Sequence, residues 1–230
     1  DGPDPFRGMN RIILLVISTT IPTICGAQWD SIDYAPIIRD TSLVVYDSGF
    51  TFREGVYFGF EDFRDNRPGV ALKDLLDEEK RPVDDLRQSD GKLYHTDSSG
   101  TARPIDMDRI WGFCERNTVY VRIGNGFNRI GLMGSIAHIV YDQTYSSWGG
   151  YYGMYGMGPT TTTVQEQRLL DMASGDFLPV NATGIAQAIS TDPELLAKYE
   201  ALPRKERNAT ETVYRFMRLF NERHELRFPR

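Results

Sequence analysis

The stretch that decides the fold is Thr118-Val119-Tyr120-Val121-Arg122-Ile123, followed by Gly124-Asn125-Gly126 and then Phe127-Asn128-Arg129-Ile130. Its aliphatic residues alternate with Tyr and Arg, which is the period-two pattern of a half-buried strand. Asn-Gly is typical of a tight turn that requires positive φ. The segment therefore predicts two antiparallel strands joined by a short turn.

Further strand-like segments lie on both sides of this hairpin, at residues 43–46, 92–96, 101–105, 110–114, 135–141 and 164–172. Turn sequences separate them, such as Asp97-Ser98-Ser99-Gly100 and Arg116-Asn117. An antiparallel meander of this kind buries one face and exposes the other. We therefore predict an α+β protein whose β-rich domain, residues 28–180, is an antiparallel meander in the form of a sheet or a partly open barrel. Its core is expected to include Trp111, Phe113, Val119 and Val121.

The C-terminal part, residues 181–230, has helical patterns. Asp192-Pro193-Glu194 is a favourable helix start, because Asp can cap the helix and Pro suits its first position. Asn208 with Glu211 approximates a second capping arrangement. After it, Val213, Phe216, Met217 and Phe220 follow at helical spacing and form one apolar face. We predict a helical tail that packs on the β-rich domain within the same structural unit.

The first 27 residues are predicted to be a short scar before Met9 and a cleaved signal peptide. Arg11 and the apolar run Ile12–Ile17 are followed by small residues at Cys25-Gly26-Ala27, which favour cleavage before Gln28. The apolar run is too short to cross a bilayer, so no transmembrane segment is expected in the mature form. Lipid attachment at Cys25 is the alternative, and the bulky residue before it disfavours that signal. The protein is thus expected to be exported, either to the periplasm or cell envelope or as a secreted protein.

Composition limits the partners. The 230 residues are 40% hydrophobic and 12% aromatic, enough for a sizeable core, and carry a formal net charge of −6. This acidic balance argues against nucleic acid as a partner. Cleavage before Gln28 would leave Cys114 as the single cysteine, which excludes an intramolecular disulfide.

Three blocks carry a resemblance. They are Gly55-Val56-Tyr57 through Pro68, Asp90-Gly91-Lys92-Leu93-Tyr94 through Val119-Tyr120-Val121, and Asp192-Pro193-Glu194-Leu195 through Phe220-Asn221-Glu222-Arg223-His224. In this order and spacing they resemble a family of uncharacterised exported proteins of Bacteroidetes-type bacteria. The resemblance implies export and similar domain limits, and it assigns no catalytic residue.

The sequence offers few groups for catalysis or metal binding. His95, His138, His224 and Cys114 do not follow a metal-ligand spacing, and no serine lies in a nucleophile-elbow motif. His138 is either a buried base or ligand, or a hydrogen-bonded structural residue of a strand. We therefore assign no catalytic residue, no metal site and no cofactor.

The segment from Ser146 to Thr163 is predicted to be a low-complexity loop within the β-rich domain. Its aromatic residues and the one just before it are Tyr145, Trp148, Tyr151, Tyr152 and Tyr155. Exposed aromatic rings provide contact area at low entropic cost and suit protein or glycan surfaces. These five residues are the predicted binding site, and a neutral insertion is the alternative.

Three functions remain open from the sequence. The first is an exported, non-enzymatic domain that binds another envelope macromolecule, either a protein or a glycan. The second is a hydrolase-type enzyme whose active site is assembled from distant residues, which a pocket holding His138 or His95 near a carboxylate would favour. The third is a structural accessory of an envelope assembly. The sequence gives neither the ligand nor the oligomeric state.

Overall fold

A computed structural model describes residues 42–89, 91–97, 99–124, 126–147 and 160–230. The strands are β1 (Leu43–Val45), β2 (Gly55–Tyr57), β3 (Leu75–Leu76), β4 (Leu93–Thr96), β5 (Ala102–Ile105), β6 (Gly112–Glu115), β7 (Thr118–Ile123), β8 (Gly126–Leu132), β9 (Ile136–Ser147), β10 (Thr160–Asp171), β11 (Phe177–Pro179) and β12 (Arg227–Pro229). The α-helices are α1 (Phe60–Arg64), α2 (Ala182–Ala188), α3 (Pro193–Glu200), α4 (Arg204–Arg207) and α5 (Thr210–Arg223). The predicted signal peptide lies outside the described residues.

Seven strands form one antiparallel sheet in the order β11-β10-β9-β8-β7-β6-β2. From β6 to β11 each strand pairs with the next one along the chain, so the predicted meander is confirmed. The sheet curls into a half-barrel, and with the C-terminal helices it gives the predicted α+β class. None of the described helices has the length and apolar composition that a membrane span requires.

The turn between β6 and β7 shows how local sequence sets this order. Arg116 and Asn117 both adopt positive φ, 48° and 56°, as a two-residue hairpin turn requires. The Asn117 side chain accepts a hydrogen bond from the Phe52 N–H at 2.8 Å and donates one to the Phe50 carbonyl at 3.0 Å. The predicted turn is confirmed, and its amide also fixes the segment before β2.

At β6 and β7 the sheet is covered on both faces, which corrects the expectation of one wet face there. Val119 and Val121 point into a core of aromatic rings on one face of the sheet, formed by Phe50, Phe52, Tyr57, Phe63 and Phe228. Phe113 and Tyr120 stack on the opposite face, with ring centroids 4.8 Å apart. That face packs under the small sheet β3-β4-β5. Trp111 is half-buried and stacks on Phe63, so all four predicted core residues contribute.

The C-terminal tail packs on the sheet through α5. Val213, Phe216, Met217 and Phe220 are buried as predicted and share a core with Ile136 and Leu169 of the sheet. The Asn221 amide mimics a strand partner: it accepts a bond from the Ile136 N–H at 2.7 Å and donates one to the Ile136 carbonyl at 2.9 Å. The apolar stripe of the helix therefore forms one core with β9 and β10.

Two features of the tail differ from the sequence prediction. Asn208 does not cap α5, because it ends α4 in a helical conformation and Ala209 precedes the first turn of α5. The tail also ends in a strand, β12, which pairs antiparallel with β1 and brings Val44 opposite Phe228. Phe228 is fully buried in the aromatic core, so β12 completes the core on that face of the sheet.

Candidate binding surface

The β9–β10 hairpin is the element that carries the candidate surface. Its strands pair without a break over twelve positions, from Ile136 opposite Asp171 to Ser147 opposite Thr160. The inner part is apolar and buried, as at Ile139 and Leu170. In the outer part, side chains on both faces are largely exposed. At about 3.3 Å per residue this outer part extends for roughly 20 Å.

These strands correct the limits of the predicted loop. The described residues of the segment 146–163 all belong to β9 or β10, including the threonine run from Thr160. Threonine is β-branched and favours strands, so the run was itself a strand signal. Of the predicted site residues, Tyr145 lies in β9, whereas Trp148, Tyr151, Tyr152 and Tyr155 lie outside the described residues.

Tyr145 has an apolar neighbour across the hairpin. Tyr145 pairs with Thr162 and Gln143 pairs with Val164, so Tyr145 and Val164 are diagonal neighbours on one face. Their exposed fractions are 50% and 45%. An aromatic ring and an aliphatic side chain therefore form a small exposed patch on the ribbon, which we call the Tyr145 patch.

A carboxylate holds the tyrosine ring in place. Glu166 accepts hydrogen bonds from the hydroxyls of Tyr141, at 2.8 Å, and of Tyr145. These bonds favour the ionised carboxylate and lower the pKa of Glu166, and the bond to Glu166 raises the pKa of Tyr145. Arg168 lies 3.5 Å from the same carboxylate. The ring of Tyr145 is thus held in one orientation, and a group oriented in advance loses less entropy in a contact.

The opposite face of the hairpin is anchored to the helical tail at its base. His138 Nε2 lies 3.0 Å from Gln167 Oε1 and 3.1 Å from the Tyr214 hydroxyl. The Tyr214 hydroxyl also donates to Gln167. His138 is therefore a half-buried structural residue that ties α5 to the hairpin, in agreement with the second of the two interpretations made from sequence.

A separate groove of about 640 Å³ lies where α1, β12 and the end of α5 meet. Among the residues that line it are Ser135 and His224. His224 Nε2 lies 3.2 Å from Asp192 Oδ2, but the Ser135 hydroxyl donates to the backbone carbonyl of His224 at 2.6 Å. Serine and imidazole are therefore not arranged as nucleophile and base, which would need the hydroxyl on a ring nitrogen.

Asp192 has a structural role in that groove region. Its Oδ1 accepts the Leu195 N–H at 2.9 Å as the cap of α3, and its Oδ2 also receives Arg223 at 3.1 Å. The backbone N–H of Leu195 is the largest of the contributions that lower the pKa of Asp192 to about 2, followed by His224 and Arg223. The predicted helix start at Asp192 is confirmed, and the same carboxylate ties α3 to the end of α5.

The other reactive groups also have structural surroundings. Cys114 is fully buried beside the aromatic core, and this burial raises the pKa of its thiol to about 12. His95 is buried in β4, opposite Arg103 of β5 and Leu75 of β3. Within the described ranges, no three or more His, Cys, Asp or Glu side chains group as metal ligands. The Tyr145 patch is thus the candidate site that the geometry favours.

The sequence predicted Tyr145 as a site residue but not the two residues that lie beside it, Val164 and Glu166. Val164 and Glu166 follow the threonine run, and the strand character of that run would have placed them opposite Gln143 and Tyr141 once the hairpin register was known.

No protein-family model, no curated protein and no solved structure matches the chain.

Proposed function

We propose that this protein is an exported, non-enzymatic module of the cell envelope that binds another envelope protein through the outer part of the β9–β10 hairpin. The observation that carries the proposal is the Tyr145 patch, in which an exposed, pre-oriented tyrosine ring lies beside exposed Val164. Aromatic side chains of this kind provide much of the energy at protein interfaces. Export and the likeness to the uncharacterised exported family belong to the same proposal.

A protein partner fits this surface better than a glycan. The patch lies on a two-stranded ribbon, and its second member is the aliphatic Val164 rather than a polar group. Sugar recognition would instead use the ring together with Gln143, Glu166 and Arg168 as hydrogen-bonding groups. Two of these groups already have partners in the described structure. Glu166 accepts a hydrogen bond from the Tyr145 hydroxyl, and Arg168 donates to Glu166.

The hydrolase alternative has less support. In the described chain, Asp192 and His224 form a carboxylate–histidine pair, and Asp192 caps α3 and ties it to the end of α5. Among the described residues, His138 contacts an amide and a phenol rather than a carboxylate. The third hypothesis is a structural accessory of an envelope assembly. It would use the same surface, but the protein would stay bound to the assembly permanently instead of binding reversibly.

The test is capture of cross-linked partners from an envelope extract, with quantification by mass spectrometry. The double variant Tyr145→Ser, Val164→Ser removes the patch, and Leu219→Ser, a change at an exposed apolar residue of α5, is the matched control. We expect the double variant to lose partner capture at least about tenfold, the equivalent of about 1.4 kcal/mol, and the control to retain it. Tyr145→Phe keeps the ring without the bond to Glu166 and should lie between the two.

Two results would count against the proposal. Equal capture by the double variant would remove the patch from the interface. Retention of the protein on purified envelope polysaccharide, with the same dependence on Tyr145 and no captured protein, would replace the protein partner by a glycan.

A further inference from the structure

The outer edge of β10 presents backbone hydrogen-bonding groups to solvent. β9 pairs with the inner edge of β10 along its whole length, whereas β11 pairs with the outer edge only from Arg168 to Leu170. Among the residues that the structure describes, no strand pairs with the outer edge between Thr160 and Gln167. This open edge is long enough to accept another strand.

The direction of the exposed groups follows from two bonds at the end of β10. Met172 donates its N–H to the Ser135 carbonyl on the β9 side, and Asp171 donates to the Asp176 carbonyl on the β11 side, both at 3.0 Å. Bonding directions alternate along an antiparallel strand, and the β9–β10 register is unbroken. Odd-numbered residues therefore direct N–H and C=O outward, namely Thr161, Thr163, Gln165 and Gln167.

Two other edges of the described sheets are protected in ways that this one is not. Val56 of β2 exchanges hydrogen bonds with the segment at Val70, which covers that end of the main sheet. β5 carries Arg103 and Pro104, residues that discourage the addition of another strand. In contrast, the run from Thr160 to Gln165 contains no charge, proline or glycine. Its β-branched residues favour an extended strand.

We propose that this edge pairs antiparallel with the same edge of a second copy of the chain, about a two-fold axis at Thr163. Each copy then places Thr163 opposite Thr163, and Thr161 opposite Gln165 of the second copy. Three hydrogen-bonded residue pairs form, each exchanging two backbone bonds. This dimer is independent of the partner binding proposed above.

The composition of the edge is self-complementary, as a two-fold interface requires. Opposed threonines can hydrogen-bond across strands, and like charges directly opposite each other would destabilise the pairing. The first charged residue of the edge, Glu166, falls opposite position 160 of the second copy. The two Glu166 residues therefore lie about six positions apart, roughly 20 Å at about 3.3 Å per residue.

The antiparallel arrangement also keeps the described cores of the two molecules apart. The second copy runs in the reverse direction, so the buried bases of the two hairpins lie at opposite ends of a four-stranded ribbon. Thr162 and Val164 of one copy face Val164 and Thr162 of the other. The two Tyr145 patches then lie on one continuous face of the ribbon.

A charge-swap experiment tests the dimer by sedimentation velocity of the full chain over a wide concentration range. Thr163→Lys places two like charges opposite each other on the axis, and Thr163→Glu does the same with the opposite sign. We expect each variant to dimerise at least about tenfold more weakly than the wild-type chain. An equimolar mixture of the two variants should recover the dimer, because Lys then faces Glu.

The matched control is Thr144→Lys, which changes the cross-strand neighbour of Thr163 on the same exposed face but not on the edge. It should dimerise like the wild-type chain, and the far-UV circular dichroism of all variants should be unchanged. A wild-type chain that stays monomeric at every concentration would overturn the proposal. Unweakened dimers of both Thr163 variants, or a mixture that fails to recover, would do so as well.

Discussion

Phe216→Ala tests whether the helical tail and the sheet form one core. The Phe216 side chain is 4% exposed, and its ring meets the Tyr199 ring of α3 edge-on with centroids 4.9 Å apart. It belongs to the same buried cluster as Ile136 and Leu169 of the sheet. Truncating a buried phenylalanine to alanine costs about 3–5 kcal/mol. With a urea dependence of about 2–3 kcal/mol/M, the unfolding midpoint should fall by roughly 1–2.5 M.

The assay is urea unfolding followed by two probes. Far-UV circular dichroism reports the helices, and fluorescence of Trp111 reports the sheet when Trp29→Phe and Trp148→Phe remove the other tryptophans. Leu219→Ala on the exposed side of α5 is the control and should change stability by about 0.5 kcal/mol or less. A loss below about 1 kcal/mol for Phe216→Ala, or a circular-dichroism transition separate from that of Trp111, would refute a shared core.

Two further predictions concern the tail. The low pKa of Asp192 means that its ionised form is favoured in the folded state, so its stabilising contribution is present above about pH 4 and is lost as the pH falls toward about 2. Asp192→Asn keeps a capping acceptor without the charge. Its free energy of unfolding should therefore vary less between about pH 4 and pH 2 than that of the wild-type chain, and an equal pH dependence of the two would contradict this. Gly184→Ala should destabilise the protein by about 1–3 kcal/mol in thermal melts, because the new Cβ would lie 2.0 Å from the Pro179 carbonyl oxygen. Helix propensity alone predicts that alanine stabilises the helix. A rise in melting temperature would therefore show that the Pro179 carbonyl moves to make room for the new Cβ.

Local patterns in the sequence determined much of the fold. The alternation in β7, the turn at Arg116-Asn117 and the apolar face of α5 each depend on residues that are close together in the chain. The carboxylate of Asp192 reaches an N–H three residues away. Such signals act within one turn or one hairpin, so they can be interpreted without knowledge of the rest of the molecule.

The candidate site was determined only in part. Tyr145 was predicted because aromatic residues cluster around it, but its pairing with Glu166 and its place beside Val164 depend on the β9–β10 register. A shift of one residue would move Val164 and Glu166 to the other face. The open edge of β10 likewise depends on which strand lies next to it, and no local pattern specifies that.

The sequence by itself determined most strands of the meander and their order, the start of α3 and the apolar face of α5, because neighbouring residues carry those preferences. Only the tertiary structure decided that β12 pairs with β1, that the small sheet covers the second face of the meander, and that Asn208 ends one helix instead of starting another. Each of these depends on groups brought together from distant parts of the chain or on competition between neighbouring elements. Such contacts are selected by the free energy of the whole packed core, which local preference does not contain.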